Sequence, residues 1–202
     1  LNVDAILTNN RFGAYQAVKH LIDLGHRDIA YVGNIDFSPS YYERLEGYFL
    51  ALKEANIQPK KEYLFTDAEE KLPVIKDFIH SLTEMPSAWF CVNDGLGFLV
   101  STALQGAGFN IPEDVSVCSF DNGELSQIYE PAITTMDIDL TLYGRQAVEK
   151  LIWRIENPDE PFHETLYPAK LIIRESTGPL KGKQSLLQIS TRRSEAALHH
   201  LG

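Results

Sequence analysis

Short apolar runs of strand length alternate with helix-period stretches along nearly the whole chain, and this alternation limits the fold more than any other property. Val3–Leu7 reads as a strand, and Phe12–Leu24 follows with Tyr15, Val18, Leu21 and Ile22 at helical spacing before Gly25 stops it. Asp28–Gly33 is the next strand, and Tyr41–Ala55 places Leu45, Tyr48, Phe49 and Leu52 on one helical face. The rhythm continues with a strand from Tyr63 to Phe65, a helix over 69–83, a strand over 88–92, a helix over 95–107 and a strand over 115–120. Beyond a short irregular stretch come an extended crossover at Ile133–Met136, a helix at Leu142–Ile155 and a last strand at Ala169–Ile173. Such alternation implies βαβ units: an α/β fold, a three-layer Rossmann-like parallel sheet covered by helices on both faces.

In open parallel sheets, ligands sit at the carboxyl ends of the strands. Two apolar runs here end in small acids and amides, Asn93-Asp94 and Asp121-Asn122. These groups supply hydrogen-bond donors and acceptors and suit a small polyhydroxylated ligand.

Catalytic devices are missing from the sequence. The turn Leu7-Thr8-Asn9-Asn10-Arg11-Phe12-Gly13 lacks a Gly-x-Gly-x-x-Gly fingerprint, and no Walker sequence or Gly-x-Ser-x-Gly elbow occurs. The six histidines, at 20, 26, 80, 163, 199 and 200, show no ligand spacing outside the terminal pair, so no metal and no cofactor is expected. His26, just beyond Gly25, reads as a cap for free helix carbonyls. Asp94 and Asp121 as an acid and base pair is the remaining enzymatic reading, and it has no supporting histidine, metal or phosphate loop.

With 202 residues, 44% hydrophobic and 23% charged, the chain has enough material for one or two domains with real cores. A formal net charge of -10 opposes direct binding to a phosphate backbone, so contact with DNA needs another segment. No apolar run is long enough for a transmembrane helix, and the opening Leu-Asn-Val-Asp-Ala is no signal peptide; the missing Met suggests a fragment or a processed chain. Cys91 and Cys118 lie inside apolar runs and read as small buried hydrophobes in a reducing compartment, ahead of a disulfide or a reactive thiol. After Gly178-Pro179 the apolar rhythm is lost; residues 180–202 read as a tail, the alternative being an oligomerisation helix using Leu186, Leu187, Ala197, Leu198 and Leu201.

Several strings in a fixed order resemble one family. They are Ala17–His26 (A-x-x-H-L-x-x-L-G-H), Ile29-Ala30, Arg44-Leu45-Glu46-Gly47-Tyr48, Val92-Asn93-Asp94, Ile111–Val117 (I-P-E-D-V-S-V), Phe120-Asp121, Pro131, Thr134-Thr135 and Leu171–Thr177 (L-I-I-R-E-S-T). Over residues 3–177 the chain resembles the effector-binding core of the lactose-repressor (LacI/GalR) family of bacterial transcription regulators. The resemblance implies a periplasmic-binding-protein-like type I fold of two lobes closing on a small effector, a sugar or sugar phosphate, in a cytoplasmic homodimer. It also implies operator DNA bound through a helix-turn-helix headpiece that this chain lacks. The alternative is a secreted sugar-binding transport receptor; a headpiece or a secretory signal encoded upstream separates the two.

On this resemblance the second lobe is complete and the first partial: 1–25 a strand and helix of the first lobe, 26–136 the second lobe, 137–168 a crossover and first-lobe helix, and 169–179 a return strand. The first-lobe pieces are then expected to expose unmatched apolar surface, and to be poorly ordered or packed against another chain. The implied ligand-binding residues are Arg44, whose planar fork suits hydroxyls or phosphate, with Asn93 and Asp121 at the strand ends. Ser38, Ser40, Asp67 and Phe12 complete the candidates, and Asp94 reads as a helix cap. The family commonly carries an aromatic ring near position 67; this chain has Phe65-Thr66-Asp67, so Phe37, Tyr41 or Phe65 is left as a stacking partner. Leu99, Val100, Leu104, Ile128 and Tyr129 are the implied dimer contacts.

Overall fold

A computed structural model describes residues 3–181; the expected tail helix falls among 182–202, outside the described residues. The elements are β1 (Ala5–Thr8), α1 (Asn10–Asp23), β2 (Ile29–Val32), α2 (Pro39–Glu54), a 3-10 turn (Lys61–Tyr63), β3 (Leu64–Phe65), α3 (Leu72–Ser81), β4 (Ala88–Cys91), α4 (Asp94–Gly106), β5 (Ser116–Asp121), α5 (Glu124–Ile128), β6 (Thr134–Asp137), α6 (Leu140–Glu156), β7 (Glu164–Tyr167) and β8 (Lys170–Ile172). No helix among the described residues is long and apolar enough to cross a membrane.

Six strands form one sheet in the order β3-β2-β4-β5-β6-β8, parallel except for β8, which runs antiparallel to β6. Strands β2 and β4 are wholly buried, as a parallel sheet covered on both faces requires. Successive side chains of β4 point to opposite faces, and each meets a different helix layer. Trp89 meets Phe78 of α3 edge-on, whereas Phe90 meets Tyr31, which packs against Tyr48 of α2.

A second, two-stranded parallel sheet pairs β1 with β7. The chain crosses between the sheets three times: from β1 into α1, from β6 into α6, and from β7 into β8. This moves the expected boundary. Residues 10–23 do not belong with the first lobe, because Ala14, Ala17, Val18 and Leu21 of α1 are fully buried in the six-stranded core. The small residues make the contact possible: an added Cβ at Gly13 meets Phe120, and one at Gly47 of α2 meets the Arg11 carbonyl at 2.2 Å. The first-lobe pieces are therefore β1, α6 and β7. Helix α6 buries no residue and exposes Leu140, Val148, Leu151, Ile152 and Ile155, so its apolar stripe has no mate within the described residues.

Three local expectations also change. Ile133–Met136, read as a crossover, supplies β6 inside the sheet. Strand β7 was not foreseen, because Glu-Thr-Leu-Tyr between two proline-bearing segments carries little apolar signal. His26 does not cap α1; Arg27 donates to the Ile22 carbonyl at 2.9 Å instead. The buried His26 ring spans three segments, with Nδ1 3.0 Å from Ser87 Oγ and Nε2 3.0 Å from both Ser116 Oγ and the Gly178 carbonyl. Both cysteines are free and buried, and burial pushes their thiols up, so neither is a ready thiolate.

Candidate functional site

The carboxyl ends of β4 and β5 lie side by side, and the chain turns there with polar groups pointing off the sheet. After β4, Asn93 is the N-cap of α4: its Oδ1 accepts from the Leu96 amide at 2.8 Å. Its amide nitrogen donates both hydrogens, to Tyr41 Oη at 2.7 Å and to Glu70 Oε1 at 2.6 Å. Asn93, expected only as a ligand group, is thus also the helix cap, and this corrects the role given to Asp94.

Asp94 points inward. Its buried carboxylate accepts from Ser119 Oγ, Thr135 Oγ1 and the Gly123 amide, and so joins α4 to β5, β6 and the turn after β5. A buried carboxylate needs this many donors to offset its lost hydration. The turn it holds is unusual, because Asp121 and Asn122 both have positive φ, 106° and 53°. Asn122 is fixed further by its amide N–H to Thr135 Oγ1 at 3.3 Å and by its Nδ2 to Asp137 Oδ1 at 2.8 Å.

Arg44 rises from α2 beneath this turn. Its Nε donates to Asn10 Oδ1 at 3.0 Å, Nη1 to the Val92 carbonyl, and Nη2 faces Asp121 Oδ1 at 3.1 Å. The guanidinium lies over the Phe120 ring at 3.7 Å. Asp121 is partly exposed, and burial holds its carboxyl above the usual carboxylate range while Arg44 opposes that rise. Tyr41 is also raised, chiefly by burial. The result is a fixed wall of Tyr41, Arg44, Asn93 and Asp121, with Glu70 at its edge.

The remaining candidates are more scattered. Ser38 stands at the N-cap position of α2 without a side-chain capping bond, and Ser40 is half-buried in the first turn. Asp67 is exposed and bridges to Asn34 through the backbone, and Phe12 is exposed on α1, stacked on Tyr15. Phe65 is withdrawn from the site, packed face to face on Phe78 at 4.3 Å. Asn10 and Glu70 are network members that the candidates omitted, and Tyr41, expected only as an alternative stacking partner, joins them through its hydroxyl. Asn10 and Glu70 carry no pattern that distinguishes them from loop polar residues.

Of the implied dimer contacts, Val100 and Leu104 are fully buried in the core and cannot meet a partner, because α4 turns those positions onto the sheet. Leu99 and Tyr129 are half-buried, and Ile128 is 67% exposed. Among the described residues no cluster of histidine, cysteine and carboxylate side chains is placed to hold a metal ion.

Six strands clothed by helices, with a polar wall at the carboxyl ends and a second sheet joined by three crossings, define a receptor lobe of the periplasmic-binding-protein class. Residues 18–177 match the family described as periplasmic binding protein-like domain, and the chain belongs to it, in the form carried by LacI-type regulators. The NTD biosynthesis operon regulator NtdR of Bacillus subtilis is 36% identical over 168 residues, 81% of this chain and 51% of the relative. The ribose operon repressor of Haemophilus influenzae is 35% identical over 185 residues, 90% of this chain and 55% of the relative. Among solved structures, a complex of the transcriptional regulator CelR with cellobiose superposes with a TM-score of 0.79 at 26% identity, covering 87% of this chain and 54% of that one. A LacI family regulator from Enterococcus faecium with bound ribose gives 0.77 at 29% identity, covering 88% and 66%. The chain spans about half the length of the curated relatives it matches.

Proposed function

We propose that this chain is the effector-binding and dimerisation part of a sugar-responsive transcriptional repressor that acts in the cytoplasm as a homodimer. Operator DNA is then bound by a headpiece elsewhere in the longer protein, since a chain of net charge -10 is unsuited to that contact. The observation that carries the reading is the convergence of Asn93 and Asp121, from adjacent strand ends, with the ion-paired Arg44 in one rigid wall. Such groups orient hydroxyls, and nothing beside them is arranged as a nucleophile with its base. Relatives are named as repressors, and two neighbours hold sugars, which supports the same class. The partner surface is the α4–α5 side, where Ile128 stands exposed beside Tyr129.

Titration calorimetry of the full-length protein against neutral and phosphorylated monosaccharides and disaccharides tests this. Saturable binding that Asn93→Ala abolishes, and that changes operator affinity, is the expected result. Binding of purine bases with no response to any sugar would sink the sugar reading.

A further inference from the structure

Position 67 presents an exposed aspartate, and the half-buried Phe65 has its ring stacked on Phe78, so strand β3 offers no free ring. A different element does. Phe37, in the loop from β2 to α2, is 75% exposed and stacks on Tyr41 with centroids 5.5 Å apart and planes 26° from parallel. It is more open than the other exposed rings, Phe12, Tyr42 and Phe162.

The loop beneath it is fixed. Asn34 Oδ1 accepts from the Asp36 amide at 3.1 Å, the Asn34 carbonyl from the Phe37 amide at 3.2 Å, and the Thr66 carbonyl from the Ile35 amide at 2.9 Å. Tyr41 is fixed as well: its Oη accepts from Asn93, its carbonyl accepts from Tyr31 Oη at 3.0 Å, and the Arg44 guanidinium stands 5.6 Å from its ring. The Phe37–Tyr41 pair is therefore continuous with the polar wall and pre-organised before any ligand arrives.

Charge narrows what that ligand is. The cation of the wall, Arg44, is buried and has a partner on each of its three nitrogens. Arg174, which donates to Asn122 Oδ1 beside Asp121 and to the Ile133 carbonyl at 2.8 Å, is engaged too, as are Arg11 with Glu46 at 2.6 Å and Lys71 with Glu69 at 2.6 Å. Carboxylates gather at the same end of the sheet: Asp67 after β3, Glu70 before α3, and Asp121 and Asp137 closing β5 and β6. A phosphate would meet like charge there and find no uncommitted guanidinium.

We propose that the open face of Phe37, backed by Tyr41, is the platform on which the ligand's ring lies, and that this ring bears no phosphate. The inference rests on the sugar-effector reading above and specifies it: an uncharged sugar in its ring form, with a C–H face for the aromatic and hydroxyls for the partly exposed Asp121 and for Glu70, which Asn93 holds in place. Calorimetry on the full-length protein with ribose, glucose and cellobiose, and with ribose 5-phosphate and glucose 6-phosphate, provides the test. At least one neutral member is expected to bind tenfold or more tightly than any phosphorylated one. Phe37→Ala lowers that affinity about tenfold with the melting temperature unchanged, and Phe37→Trp restores it. A phosphorylated sugar binding as well as the best neutral one, or neutral-sugar binding indifferent to Phe37→Ala, overturns this inference and leaves the sugar reading standing. No binding by any of the five overturns both.

Discussion

Arg44 Nη2 and Asp121 Oδ1 stand 3.1 Å apart, the arginine side chain 6% exposed and the aspartate 40%. One partner is structural and the other reaches the surface of the candidate site, so the pair fixes a half-exposed carboxylate with a buried charge. Asp121 has a positive φ of 106°, a conformation a non-glycine residue holds only when its surroundings over-determine it. Arg44 is one of those surroundings, and the turn fixed by Asp94 is the other.

On the proposed function, removal of Arg44 is therefore felt twice, in the candidate site and in the fold. Arg44→Ala is expected to abolish effector binding in calorimetry and also to destabilise the lobe. It strips a donor from the Val92 carbonyl and a counter-charge from Asp121, a loss of about 3–5 kcal/mol for a broken buried pair, reduced here because Asp121 is partly solvated. Urea unfolding measures it. Arg44→Ala combined with Asp121→Asn should recover part of the stability without recovering binding. A single variant as stable as the parent would contradict the geometry.

Asp94 offers a similar test at a residue that need not touch ligand. In Asp94→Asn the hydroxyls of Ser119 and Thr135 can turn round to accept, but the Gly123 amide can only donate. With the amide nitrogen toward the two hydroxyls and the amide oxygen toward Gly123 no donor is orphaned, and a destabilisation of about 1 kcal/mol follows from the lost charge-assisted bonds. Hydrogen exchange at the Gly123 and Asn122 amides should accelerate more than at the centre of β4. Uniform acceleration would mean that Asp94 supports only global stability.

Much of the fold was legible because periodicity reports burial directly. Trp89 and Phe90 sit in an unbroken apolar run, and Val117 and Phe120 in one interrupted only by small serines, as a strand covered on both faces demands. Asn93 and Asp121 stood out by their place at strand ends, whereas Arg44 was singled out only by the family resemblance. The lobe assignment of α1 was not: its apolar stripe says that it is buried but names no partner. Asn93 and Asp94 could not be told apart as caps, because both residue types cap equally well and only the direction of each side chain decides. Glu70 and Asn10 join the network through contacts distant in sequence, which no local pattern encodes.

His26 links pH to stability at the opposite end of the sheet. Burial lowers its pKa below the ordinary 6.5, while the unfolded chain keeps the ordinary value. Below 6.5 the unfolded state binds a proton that the folded state refuses. Stability is then full above that pH and declines as pH falls toward the depressed folded pKa. His20, lowered by the same cause, adds to the slope. Replacing His26 with Gln should flatten part of the decline between pH 6.5 and 5 in thermal melts, at a cost in stability at pH 7.5 from the lost ties to Ser116 and Gly178. An undiminished slope would mean that the ring is protonated in the folded state.

Gly47 tests where the lobe begins. A methyl group there would lie 2.2 Å from the Arg11 carbonyl, 2.8 Å from the Ala14 Cβ and 2.9 Å from the Tyr15 amide nitrogen. Two of those atoms are helix backbone, which cannot rotate away, so α1 and α2 must separate. Gly47→Ala gains helix propensity of about 1 kcal/mol and loses about 1–3 kcal/mol to overpacking, the upper end applying where backbone is struck. A net loss in denaturant unfolding, with faster exchange in both helices, is the expected result. If α1 instead belonged with β1 and α6, loosening it would leave the six-stranded core untouched, and the amides of β4 and β5 would keep their protection. Because α1 also packs on β5 through Gly13 and Phe120, protection at Phe120 should fall with that of α1.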